Sequence, residues 1–239
     1  MARQAESAGA IEAGEEQTRG HKKKARTRQQ LLDAALRIYA RKGASSLALN
    51  ELAEEAGVSN GTIYNYFRTR EEVLDAVGLE LAVQLSHQVT AVSIGVTQGA
   101  ERMSIGIRTF LLKAMDDPEW ASALTSVMRY AEGMRTALAA HVRHDLQVGQ
   151  LQGDFHYVDE DIALTMVVSA TLGAMASIVE GMRVEHLDSI MAEMILLALG
   201  VTAKKAKQVA NLPMPAVVAP EADSAQPPAT RTRRTGTRS

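Results

Sequence analysis

Hydrophobic positions recur three and four residues apart through most of residues 25–210, the spacing of one buried helical face. From Arg26 onward, Leu31, Leu32, Ala35, Ile38 and Tyr39 share such a face, and the pattern stops at Gly43, a residue suited to the left-handed conformation that ends helices. Leu49, Leu52, Ala53 and Ala56 follow at i, i+3, i+4 and i+7, with Gly57 as the next stop. The turn Gly57-Val58-Ser59 leads into a third helix, with Ser59 as its N-cap and Ile63 and Phe67 pointing inward one turn apart. Thr69 and Glu72 form a T-x-x-E capping box that opens a fourth helix through Val73, Leu74, Val77 and Leu81.

Beyond Leu85 a larger helical region begins. Met103, Ile107, Phe110, Leu111 and Met115 repeat on one face up to Pro118; further helices are expected over 121–134 and about 135–148, the latter interrupted by Gly149 and Gly153. Asp159 or Glu160 opens a long helix through Ile162, Met166, Leu172, Met175 and Val179, and a last one is expected over about 185–208. The result is an all-α fold of about nine helices, in which an N-terminal three-helix unit is joined by a long helix to a C-terminal helical domain. No internal repeat stands out. The leader 1–20, with four Glu and no apolar period, is expected to lack structure, and 211–239 holds five of the six prolines and a T-R-T-R-R-T-G-T-R-S run, the composition of a flexible basic tail. The segments are therefore 1–20, a basic arm with the three-helix unit over 21–70, the larger helical domain over 71–210, and the tail.

Composition sharpens this picture in two places. Aromatic residues make up only 4% of the chain, so the apolar content is carried by Leu, Ala, Val, Ile and Met, which favours helix over strand. The chain has no cysteine, which removes disulfides, thiolate metal sites and cysteine nucleophiles and fits the cytoplasm. No run reaches about 18 uninterrupted apolar residues, so neither a membrane span nor secretion is expected. The net charge of −2 hides a division: residues 21–70 carry ten basic and four acidic side chains, a charge of +6, whereas 71–210 carry ten and eighteen, a charge of −8. A basic end beside an acidic middle points to a polyanion as partner of the N-terminal part, because Lys and Arg neutralising phosphates supply much of the affinity for DNA.

The second and third helices fit a helix-turn-helix. One helix braces, a glycine turn follows, and the next helix offers a polar face to base edges. Asn60, Gly61, Thr62, Tyr64 and Asn65 lie off the buried face. Asparagine can pair with adenine through two bonds, threonine reaches an edge or a thymine methyl, and tyrosine reaches phosphate. Gly61, without a side chain, lets the backbone come close to the groove wall. Leu52 to Phe67, L-A-E-E-A-G-V-S-N-G-T-I-Y-N-Y-F, with T-R-E-E-V-L after Arg68, resembles the signature of TetR-type transcriptional regulators over about a quarter of the chain. The resemblance implies a DNA-binding regulator, generally a repressor that binds a palindromic operator as a homodimer and responds to a small effector. It places Ser59, Asn60, Gly61, Thr62, Tyr64, Asn65 and Tyr66 at the DNA-binding helix, and Arg70 where a lysine commonly contacts phosphate. Such sequences commonly cap the second helix with a threonine at the position of Ala48, so either that helix lacks a cap or Ser45 or Ser46 supplies one. Lys22, Lys23, Lys24, Arg26 and Arg28 read as an arm toward phosphates or a minor groove, or as a solvated leader.

In the larger domain the methionines suit a pocket for a small apolar effector, or plain core. Met103, Met128, Met166 and Met175 are candidates, with Ile107, Phe110, Trp120, Leu124 and Tyr130. Small residues in the penultimate helix, among them Ser169, Gly173 and Ala176, and the apolar stripe Ile190, Met191, Met194 and Leu197 in the last, are candidates for a dimer interface, which the resemblance places on the last two long helices; packing within one chain is the plainer alternative. His141 and His144 lack a third partner beyond Asp145, so no metal is expected, and no cofactor either. No phosphate loop, zinc motif or nucleophile context supports an enzyme. An architectural DNA binder without regulatory function is disfavoured by the acidic middle.

Overall fold

The stripe of Leu31, Leu32, Ala35, Ile38 and Tyr39 is buried to within 1% of complete in α1 (Ala2–Lys42), the first of ten α-helices in a computed structural model. The structure describes residues 2–215, with side chains from His21 onward, and no strand occurs among the described residues; the rest of the expected tail lies outside them. The leader expected to lack structure is continuous with α1. Its Ala, Glu, Gln and Arg are good helix formers, and a helix already nucleated by a buried face extends at little further cost.

After Gly43 (φ +79°) and a single 3-10 turn, Ala44–Ser46, come α2 (Leu49–Glu55) and α3 (Asn60–Ile63). Leu47, Leu52, Ala53, Ile63 and Phe67 close a small core against α1. Two salt-bridged carboxylates tie α2 to α1: Glu55 accepts from Arg37 at 2.9 Å and Arg41 at 2.6 Å, and Glu51 from Lys42 at 2.5 Å. The two guanidiniums hold the Glu55 carboxyl down at about 2, well below the usual carboxylate range.

The long α4 (Arg70–Val92) leaves this unit and packs on α7 (Glu132–Leu151), close enough that a Cβ at Gly78 would lie 2.7 Å from that of Ala131. The rest of the larger domain is built from α5 (Gly99–Asp116), α6 (Pro118–Met128), α8 (Glu160–Val179), α9 (Leu187–Ala198) and α10 (Ala203–Ala210). Helix α6 starts with Pro118 at its first turn and Asp117 as N-cap, accepting from the Trp120 N–H at 3.0 Å. It lies along α1, where Ser122 Oγ donates to the Ala40 carbonyl at 2.8 Å, so the two parts of the chain meet through packing as well as through α4.

Four boundaries differ from those expected. The break expected at 134–135 lies at 129–131, between the end of α6 at Met128 and the start of α7 at Glu132. Gly149 does not interrupt α7 but lies inside it, because Phe155 and the first turn of α5 press against it; a Cβ there would fall 2.3 Å from the Phe155 ring. Expected as one element, the last helix is two, broken at Gly200 (φ +91°), where the Leu199 carbonyl accepts from the His156 N–H at 2.7 Å and a Cβ on Gly200 would meet His156 at 2.9 Å. The third helix is a single α-turn continued by tighter bonds, Asn65 N–H to the Thr62 carbonyl and Tyr66 N–H to that of Ile63.

Helix α8 is long and apolar enough to span a membrane by length and composition, with a mean hydropathy of 2.0. The sequence expectation looked for uninterrupted apolar residues and passed over it, because Thr, Ser and Gly break up the run without making it polar. One face of α8, with Ala163, Val167, Thr171, Ala174, Met175 and Ile178, is buried in the domain.

Candidate functional site

The turn into α3 forms as its residue types require. Gly57 takes φ +67°, and Ser59 is the N-cap: its Oγ accepts from the Thr62 N–H at 3.1 Å and lies 2.8 Å from the Thr62 hydroxyl. Ile63 and Phe67 anchor the segment from beneath, leaving Ser59, Asn60, Gly61, Tyr64 and Asn65 exposed and Thr62 and Tyr66 half-buried. Tyr64, at 58% exposure, is a large aromatic held in solvent by a rigid support. The capping box forms too: Thr69 Oγ1 accepts from the Glu72 N–H at 3.2 Å, and Glu72 reaches back to the Arg68 N–H at 2.7 Å. Arg70 does more than point outward. Its guanidinium donates to Glu71 at 2.8 Å and to the Ser45 carbonyl at 3.1 Å, stapling the start of α4 to the loop after α1.

Lys22, Lys23, Lys24, Arg26 and Arg28 are exposed on the first part of α1, so this basic run is a helical extension in which Lys22 and Arg26, and Lys24 and Arg28, sit one turn apart. Ala48 leaves α2 without a side-chain cap; Ser46 instead donates to the Lys42 and Gly43 carbonyls, and Ser45 offers only its carbonyl, to Arg70. Ala48 already has the extended backbone of an N-cap (φ −110°, ψ 141°). Ala48→Thr is therefore expected to raise stability by about 1 kcal/mol, read as a higher unfolding midpoint in urea at unchanged slope; an unchanged midpoint would show that water already satisfies those amides.

The larger domain holds a cavity of about 80 Å³ between α4, α5, α6, α7 and α8. Four of the sequence candidates, Met103, Ile107, Phe110 and Met128, line it. Leu124 and Met175 instead lie in the closed core. Trp120 is half-buried beneath the Lys113 ammonium, 5.7 Å from its ring centre; Met166 is half-buried and Tyr130 exposed, and none of these five borders the cavity. Unforeseen in the sequence are Leu85 and Val89 of α4, Leu138 and Val142 of α7, and the polar His141, Asp145 and Thr171. The available signal was His141 and Asp145 one turn apart on a helical face that also carries Leu138 and Val142. Asp145 is 5% exposed, and its Oδ1 accepts from Arg102 at 2.6 Å. Burial pushes its carboxyl above the usual range, while Arg102 pulls it back. A more open groove of about 530 Å³ between α6, α7 and α8 shares Met128, Leu138, Val168 and Leu172 with the cavity. Among the described residues, no group of three or more His, Asp or Glu is placed to hold a metal ion.

A third surface is apolar and uncovered. Ser169 and Gly173 on α8 and Ile190, Met194 and Leu197 on α9 are exposed, with Ala176 and Met191 half-buried beside them. Met194 is 58% exposed, and nothing lies within 4 Å of a Cβ at Gly173.

Comparison with known proteins matches residues 31–77 to a model of bacterial regulatory proteins of the tetR family, and residues 98–212 to a model of the tetracyclin repressor-like C-terminal domain. An uncharacterized HTH-type transcriptional regulator of Mycobacterium tuberculosis is 32% identical over 96 residues, 40% of this chain and 48% of that protein, so the chain aligns with about half the length of this relative. SrpR of Pseudomonas putida, an HTH-type transcriptional regulator, is 25% identical over 182 residues, 73% of this chain and 82% of SrpR. Among solved structures, RolR in complex with resorcinol superposes with a TM-score of 0.62 at 27% identity, covering 82% of this chain and 99% of that one.

Proposed function

The chain belongs to the tetR family of bacterial regulatory proteins, and on that premise we propose that it is a cytoplasmic, ligand-responsive repressor that binds a palindromic operator as a homodimer. The observation that carries this reading is the rigid polar projection at α3: Asn60, Gly61, Tyr64 and Asn65 stand in solvent on a segment pinned by Ile63 and Phe67 and capped by Ser59. A helix-turn-helix presents its second helix to the major groove in this way. The charge of −8 over 71–210 favours a regulator over a protein that coats DNA, which would carry positive charge widely. In this reading Tyr64, Arg70 and the basic run 22–28 of α1 contact phosphates and set the register, while Asn60, Thr62 and Asn65 meet base edges.

Effector control follows from where the cavity lies. It is bounded by α4, which begins immediately after the reading segment, and by α6, which packs along α1. A ligand that shifts either helix rotates one reading head relative to the other, and two heads fit an operator only at the correct half-site spacing. RolR, of similar fold, has been solved with resorcinol, which supports a small effector here.

Selection of bound duplexes from random DNA followed by footprinting tests the proposal: one discrete palindromic footprint is expected, and uniform coverage or none would refute it. On the selected site, Asn60→Ala or Asn65→Ala is expected to relax preference at one base pair per half-site, costing roughly 1–3 kcal/mol. Tyr64→Phe should weaken binding alike on all sequences. Unchanged specificity in both Asn variants would move base reading to Thr62.

A further inference from the structure

The hydrogen-bonding groups on the cavity wall are unbalanced, and the imbalance specifies what can enter. Asp145 has given Oδ1 to Arg102, and its Oδ2 has no partner within the protein, although the residue is 5% exposed and borders the cavity. Thr171 spends its hydroxyl proton on the Val167 carbonyl at 2.9 Å, which leaves its oxygen with lone pairs only. His141 has Nδ1 3.1 Å from the Ala137 carbonyl, which can only accept, so Nδ1 donates there. Asp145 and Thr171 can each take a hydrogen bond, and neither has a proton to give. Ser86 adds one half-buried hydroxyl that can donate as well as accept, and the remaining wall, including Leu85, Val89, Ile107, Phe110 and Val142, is apolar.

Resting on the regulator reading above, we infer that the effector is a neutral single-ring aromatic bearing a hydroxyl group, which donates to Asp145. A carboxylate, ester or ketone could take a bond from Ser86 but would bring no proton to Asp145. An ammonium is not called for, because Arg102 already neutralises the carboxylate. The volume sets the size. About 80 Å³ exceeds what one water needs and is less than the ~150 Å³ of an engineered cavity that admits benzene, so a single ring fits once the cavity widens toward the adjoining groove.

Gly106 offers a variant that blocks the site without breaking the fold. It shares a face of α5 with Met103, Ile107 and Phe110, borders the cavity, and has no atom within 4 Å of where its Cβ would stand. The probes are m-xylene, 3-methylphenol and resorcinol, one shape carrying zero, one and two hydroxyls, titrated calorimetrically into the full-length protein. Binding of 3-methylphenol at least tenfold tighter than m-xylene is expected. In Asp145→Asn, Nδ2 offers protons where Oδ2 accepted them, and the hydroxyl preference should fall at least threefold. Gly106→Leu should abolish binding of all three while the melting temperature is maintained. Equal affinity for m-xylene and 3-methylphenol, a preference unchanged in both variants, or no binding at millimolar probe would overturn the inference. The footprint is measured separately: a discrete operator with no phenol binding refutes the ligand class alone, whereas phenol binding equally tight with and without operator refutes ligand control alone.

Discussion

Gly99→Ala is expected to destabilise the larger domain by roughly 3 kcal/mol or more, at or above the usual upper end for overpacking, because the added methyl meets backbone rather than a movable side chain. A Cβ there would lie 2.4 Å from the Gly149 nitrogen and 2.5 Å from its Cα, in the last turn of α7. The same contact is tied from both sides: the Gly99 N–H donates to Gln152 Oε1 at 2.8 Å, and Gln152 Nε2 donates to the Thr97 carbonyl at 2.8 Å. Separation of α5 from α7 would also open the Arg102–Asp145 pair. At about 2–4 °C per kcal/mol for a chain of this size, the melting temperature should fall by roughly 6–12 °C. Gly106→Ala, seven residues further along the same helix and in open space, is the control and should be neutral or stabilising by about 0.5–1 kcal/mol. Equal melting temperatures for the two variants would mean that α5 and α7 slide apart at no cost.

The second large effect is expected at the uncovered apolar faces of α8 and α9. In a two-fold dimer each residue near the axis meets its own copy, so Met194→Glu combined with Ile190→Glu would place up to four like charges in one contact. Both positions are exposed, at 58% and 43%, so the monomer loses little by the change. Light scattering at micromolar concentration should show a dimer for the parent chain and a monomer for the variant. Operator affinity should fall by about 10²–10⁴, the factor contributed when the second reading head binds as part of one molecule. Leu151→Glu, at 89% exposure on the end of α7, is the control and should leave both properties unchanged. A dimeric Met194→Glu, Ile190→Glu variant would place the interface elsewhere.

The reading segment was legible in the sequence because everything that shapes it is local. Gly57, Ser59, Ile63, Phe67 and the Thr69–Glu72 box act within a few residues of one another, and each takes the role its side chain dictates. The helical class was legible for a similar reason, since a 3.6-residue period records which face is buried without recording what buries it. The cavity was different. Met103 and Phe110 shared periodicity with core residues such as Leu124 and Met175, and nothing short-range separates a side chain facing a void from one facing another side chain.

Glycines mark the limit most clearly. Gly57 makes the turn its position predicts, whereas Gly149, expected to break the helix, leaves room for the Phe155 ring, a role set by tertiary packing. Asp145 likewise has a partner that the sequence pattern does not reveal: Arg102, forty-three positions earlier, donates to one of its oxygens, and the residue borders the cavity. The sequence by itself determined the all-helical class, the reading segment and its caps, and the division of charge, because backbone propensity, capping and apolar period act over one or two turns. Only the tertiary structure decided where α7 could run unbroken, which methionines meet a void and which acceptors line it, because those depend on atoms brought together from five helices distant in the chain.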